Sequence, residues 1–184
     1  MIILDNLGVN VKGRLWIDDL PGVELKCIKI LEKNLTANQE SKWHYRRVAL
    51  ELARRRHVSN YALLEAVFKP NDSKVLTLQV FVSEDLGEPM PDAQTMLHDK
   101  VRWGIPQQYS EAIINIATQN IDSNGSFPAG VLSFSVGAHA EAGSSNMIFS
   151  QVTQVLLLLI SFECKDLSDD ELKIIVFDAI QSGS

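Results

Sequence analysis

Two cysteines and four histidines are all that the 184 residues hold of the usual metal-binding side chains outside the carboxylates. Cys27 and Cys164 lie far apart, with no CxxC spacing and no histidine cluster beside either. That leaves no sequence basis for a metal site or a disulfide framework. Both sit among apolar residues and read as reduced, buried thiols. Long apolar runs are also missing. The longest spans residues 155–160, far short of the roughly 20 residues that cross a bilayer. The N-terminus lacks the basic stretch and apolar run of a signal peptide, so a cytoplasmic location is expected. Basic charge is in short supply: 17 Lys and Arg face 23 Asp and Glu, for a net charge of −6. That balance excludes coating nucleic acid by charge alone. No GxxxxGK[ST] phosphate loop is present. No cofactor and no metal are expected.

Hydrophobic residues make up 46% of the chain and charged residues 22%, ordinary values for a globular domain with a substantial core. Residues 8–17 alternate loosely as a strand, and 18–22 form a turn around Pro21 and Gly22. Residues 23–31 suit a strand or a helix, and 35–39 a loop. Over 40–57, Tyr45, Val48, Ala49 and Leu52 fall at i, i+3, i+4, i+7, which predicts an amphipathic helix. Residues 61–68 and 74–83 read as two strands of an antiparallel hairpin across a polar turn. In the second, Leu76, Leu78, Val80 and Val82 share a wholly aliphatic face, the core side. A polar loop over 84–99 leads to a helix at 106–121, with Pro106 in its first turn. A strand at 130–137 precedes a helix that starts at Ser144 or Ser145, each a good N-cap, and runs to 162. Ser168 and Glu171 have capping-box spacing for a last helix over 168–180. The stretch 61–162 therefore reads ββαβα.

Within that stretch, Gly104-Ile105-Pro106, Tyr109 and Ala112 precede one helix, and Ser144, Ser145, Met147 and Phe149 open the next. The order and spacing resemble the fourth domain of translation elongation factor G over residues 61–162. Gly104 touches Ile105 directly, where that family has a residue between them. Gly143 stands where the family has Asp, and His139 lies one residue further from the serines than the family's His. The resemblance implies an α+β fold: a two-layer sandwich with an antiparallel or mixed sheet, two helices on one face and a left-handed crossover. Residues 61–184 would form that domain with its extra C-terminal helix. Residues 1–60 would be an N-terminal extension of strands and one basic helix packed on it. Tyr109, Ile113, Ile116, Met147 and Phe149 are expected to be buried between the helices.

Three groups of residues are candidate sites. His139, Glu141, Ser144 and Ser145 place an imidazole, a carboxylate and two hydroxyls at a strand-to-helix junction, whose free N–H groups could hold an anion. The alternative is an ordinary Ser cap on a small-residue connection. Lys42, Arg46, Arg47, Arg54, Arg55 and Arg56 give residues 39–57 a net charge of +4, with Trp43, His44 and Tyr45 as aromatic surface. On one helix these would suit RNA or an acidic protein; otherwise they pair with the chain's own carboxylates. His98, Asp99 and Lys100 beside Trp103 could line a pocket or form a polar loop.

Two function classes follow. One is a non-enzymatic binding or assembly module, RNA- or ribosome-related by resemblance, with the basic residues Lys42, Arg46, Arg47, Arg54 and Arg55 as its contact. Self-association is a further expectation, because residues 155–160 are apolar all round and need cover on more than one side. The other is a small enzyme that uses residues 137–145 on an anionic or phosphorylated substrate. A deep pocket there favours the enzyme; a buried His139 without one favours the module.

Overall fold

The computed structural model describes residues 1–5, 7–8, 10–55, 59–84, 87–95 and 99–182. In chain order the elements are β1 (Ile2–Leu4), β2 (Val11–Ile17), β3 (Cys27–Thr36), β4 (Arg46–Arg55), β5 (Ser59–Pro70), β6 (Val75–Ser83) and β7 (Val101–Trp103). They continue with α1 (Gln107–Asn124), β8 (Gly130–Phe134), β9 (Gly137–Ala140), α2 (Asn146–Ser161), a 3-10 turn at Cys164–Asp166 and α3 (Asp169–Ser182). The strands form one mixed sheet in the order β1-β2-β4-β5-β8-β6-β3, with β9 beside β5 and β7 beside β9. All three helices share one core with one sheet face, giving a two-layer α+β fold.

Residues 46–55 are a strand, not the helix that their spacing predicts. β4 lies between β2 and β5, antiparallel to both. Its Val48, Leu50 and Leu52 pack toward the helices, while Ala49 and Ala53 join a second cluster on the opposite face. A strand buried on both faces is apolar in both parities, and such a run also satisfies a helical stripe. The first 60 residues are accordingly part of the sheet rather than an extension packed on it: β1, β2 and β4 build one flank and β3 closes the other.

The expected hairpin of 61–68 with 74–83 is likewise corrected. β8 inserts between the two strands, antiparallel to β5 and parallel to β6. Residues 71–74 bridge two strand spacings, about 10 Å, over the start of β8 at Gly130, whose partners are Pro70 and Leu76. A Cβ on Gly130 would sit 2.6 Å from the Lys69 carbonyl oxygen and 2.7 Å from the Phe68 ring. Only glycine lets β8 enter there. Leu76, Leu78, Val80 and Val82 are fully buried, as their alternation predicts.

The aliphatic run of α2 is covered by the sheet and by Leu172, Val176 and Ile180 of α3, with Leu158 left partly exposed. Tyr109, Ile113 and Phe149 are buried and Ile116 is half-buried. Met147 is not: it is 65% exposed, because Ile148 and Phe149 turn inward and leave it on the outward side of α2. Cys164 is buried, but Cys27 is exposed on β3 at the sheet's margin.

Candidate functional site

The motif residues of 104–149 meet at one joint. Gly104 has φ +126°, and a Cβ there would lie 2.1 Å from Ser83 Oγ. Its N–H donates to the Gly137 carbonyl at 2.7 Å, and the Ile105 carbonyl accepts from the Ser83 N–H at 2.9 Å. Tyr109 stacks on Phe149, with centroids 4.6 Å apart, and donates its hydroxyl to the Ser144 carbonyl at 3.2 Å. Ser144 Oγ donates to the Tyr61 carbonyl at 2.5 Å and accepts the Ala140 N–H at 2.8 Å. Ser145 is the N-cap of α2: its Oγ accepts the Ile148 N–H at 3.4 Å and donates to Asn60 Oδ1 at 3.0 Å.

Both hydroxyls are thus committed to the chain itself. His139 is 5% exposed, with Nδ1 3.3 Å from the Gly104 carbonyl oxygen and its ring 6.0 Å from that of Tyr109. Glu141 forms an ion pair with Arg102, which also donates to the Gly87 carbonyl at 3.1 Å. None of the three clefts described below is lined by His139, Glu141, Ser144 or Ser145. His98 lies outside the described residues. Asp99 accepts the Ala142 N–H at 3.4 Å, and the Lys100 carbonyl accepts the Glu141 N–H.

The basic residues do not share a surface. Arg46 and Arg47 are consecutive on a strand and project to opposite faces. Arg46 donates to the Ile160 carbonyl and to Glu163, both at 2.7 Å, and lies 4.7 Å over the Trp43 ring. Arg47 donates to Glu65 at 2.6 Å and to the Leu20 carbonyl at 2.9 Å. Arg54 is half-buried, and Lys42 is exposed in the loop before β4. The Arg55 side chain and Arg56 lie outside the described residues.

Two buried carboxylates escaped the sequence reading. Glu51 on β4 is 0% exposed. It accepts the Tyr61 hydroxyl at 2.8 Å, the Gln94 N–H at 2.9 Å and Arg14 Nε. Arg14 also donates to the Asp92 carbonyl at 2.7 Å. Burial, together with the Glu51 charge, pushes the Tyr61 hydroxyl well above its ordinary pKa. Glu65 on β5 takes Arg47 and the Ser135 hydroxyl. Each acid interrupts an apolar run (Ala49-Leu50-Glu51-Leu52 and Leu63-Leu64-Glu65-Ala66). An acid inside such a run was the available signal, since buried charge needs a partner. Glu51 and Arg14, through the Gln94 N–H and the Asp92 carbonyl, fasten the segment 87–95 across the sheet face away from the helices.

That segment is flanked by two clefts. One, of about 290 Å³, is lined by Val23, Leu25 and Trp103 with Glu24, Glu84 and Glu88. The other, of about 390 Å³, lies along Pro89, Pro91, Asp99, Lys100 and Arg102. A third, near Arg46 and Cys164, holds only about 20 Å³. No family model, curated protein or solved structure matches the chain. Among the described residues no group of three or more His, Cys, Asp or Glu could hold a metal ion, and no helix is long and apolar enough to cross a membrane.

The least satisfied feature is β3. It pairs with β6 on one side, and among the described residues no strand pairs with its other side. Its Ile28 and Ile30 are 56% and 44% exposed. Lys29, Leu31, Lys33 and Leu35 stand opposite Val82, Val80, Leu78 and Leu76 and so face the helix layer. Ile30, Glu32 and Asn34 stand opposite Phe81, Gln79 and Thr77 on the outer face, where Gln79 donates to Glu32 at 2.8 Å and Thr77 to Asn34 at 2.9 Å.

Proposed function

We propose that the chain is a non-enzymatic binding module on an elongation-factor-G-domain-IV-like core, and that it recruits a partner protein by taking an extended segment onto β3. One observation carries this reading: a ten-residue strand at the sheet margin with exposed isoleucines and, among the described residues, one side without a strand partner. Such an edge presents a row of backbone donors and acceptors, and strand addition is a recurring mode of peptide capture. The shared sheet face under α1 and α2 is consistent with the elongation-factor-like core, although β7 and β9 add strands to the expected ββαβα order and β8 separates β5 from β6. The enzyme alternative loses its support, because His139 is buried and both serine hydroxyls serve the joint. The RNA version has no common basic surface to rest on, since Arg46 and Arg47 diverge into separate ion pairs.

The test is selection of binders from an unbiased display of extended peptides, followed by hydrogen exchange of the β3 amides. Binding to the edge slows exchange at alternate β3 positions, those whose N–H points away from β6. Binders that protect other elements and leave β3 unchanged overturn the proposal.

A further inference from the structure

The charges on β3 restrict what can pair there. Cross-strand neighbours that stand directly opposite project to the same face, and like charges in that position repel. On the helix side the edge carries Lys29, Leu31 and Lys33; on the outer side it carries Ile30, Glu32 and Asn34. Lysines on an edge discourage promiscuous pairing. The bulge between Cys27 and Lys29 ends the regular ladder, leaving residues 29–36 as its even portion. A second copy of β3 meets like charges in the registers centred on residues 31–33 of its even portion. Antiparallel pairing centred on Leu31 sets Lys29 against Lys33. Centring on Glu32 sets the two Glu32 residues together, and centring on Lys33 the two lysines.

Resting on the reading of β3 as a strand-accepting edge, we infer that its ligand is an antiparallel segment of another protein whose consecutive residues are acidic, basic, apolar, apolar and acidic. Read from the N-terminus of that segment, the acid stands opposite Lys33, the base opposite Glu32, the two apolar residues opposite Leu31 and Ile30, and the last acid opposite Lys29. The two acids and the first apolar residue then lie on the helix side, where Leu31 already packs against the core. The base and the second apolar residue lie on the outer side, beside Glu32 and Ile30. The only acid–base dipeptides in the chain are Glu32-Lys33 and Asp99-Lys100, and neither is followed by two apolar residues and an acid. The chain therefore cannot supply this ligand from its own sequence. Lys29 and Lys33 lend the edge a local excess of positive charge within a protein of net charge −6, which draws acidic segments selectively.

The experiment compares two fluorescent peptides, each with the same threonine flanks: Glu-Lys-Val-Val-Glu and its charge-reversed form Lys-Glu-Val-Val-Lys. Binding is followed by anisotropy at low and moderate salt, and the site by amide exchange. The native protein is expected to prefer the first by about tenfold or more, as three attractive pairs replace three repulsive ones, with the preference shrinking as salt rises. A Lys29→Glu, Lys33→Glu, Glu32→Lys variant changes only exposed side chains and should reverse the preference. Equal binding of the two peptides, or an unreversed preference in the variant, overturns the charge code. If peptides of other sequence still protect β3, the edge reading survives that result. If no peptide protects β3, both fall.

Discussion

Replacing Glu51 by Gln tests whether the buried Arg–Glu network holds segment 87–95 on the sheet. The substitution keeps an acceptor for the Tyr61 hydroxyl and the Gln94 N–H but removes the charge that Arg14 meets. Glu51 is 0% exposed and the Arg14 side chain nearly so, at 12%, so water cannot replace the lost partner. Breaking one side of a buried pair costs about 3–5 kcal/mol. The retained oxygen places Glu51→Gln at the lower end, about 3 kcal/mol. For a chain of this length, that lowers Tm by about 6–12 °C. Tyr61→Phe removes one hydrogen bond to a charged acceptor and should cost about 1.5–3 kcal/mol. Because both act through the same carboxylate, the double variant should lose less than the sum, with a coupling of about 0.5–3 kcal/mol. Urea denaturation of the four proteins gives all three values. Amide exchange at Gln94 and Met90 should accelerate in Glu51→Gln beyond the change in global stability. A loss below about 1 kcal/mol, or additive single effects, would refute the idea that this network fastens the segment.

Two further outcomes follow from the joint and the thiols. Ser144→Ala leaves the Tyr61 carbonyl and the Ala140 N–H without their partner and should cost about 2–6 kcal/mol at about 1–3 for each group; a Ser144→Ala protein as stable as the parent in urea would reopen the reading of 137–145 as a site. Burial pushes the Cys164 thiol from 9.0 up to about 11. Between those values the unfolded chain has released a proton that the native state keeps, so stability falls as pH rises from 9 to 11 and this contribution levels off above. Urea midpoints at pH 8.5 and 10.5 should diverge more for the native protein than for Cys164→Ser, and an exposed-thiol reagent should label Cys27 but not Cys164 until the protein unfolds.

Local chemistry determined much of this molecule. The aliphatic face of β6, the Ser145 cap, the Ser168–Glu171 capping box and the bounds of α1, α2 and α3 follow from neighbours within a turn or two, and each appears where its residues predict. Those signals act over a few residues, so a sequence displays them directly. The partners of each strand are a different matter. Whether 46–55 is a helix or a strand depended on β2 and β5 pairing with both its edges while its two faces were covered, and its apolar pattern fits either state. Whether β5 and β6 form a hairpin depended on Gly130 admitting β8 between them, from more than 50 residues away. The fate of His139, Ser144 and the arginines was decided in the same way, by carbonyls and carboxylates brought from distant strands and helices. The exposed edge at β3 follows from its place at the end of the sheet, with β6 as its one ladder partner among the described residues. A sequence records which side chains can pair, but the competition among pairings is settled in three dimensions, where burial and hydrogen bonding must be satisfied for all strands at once.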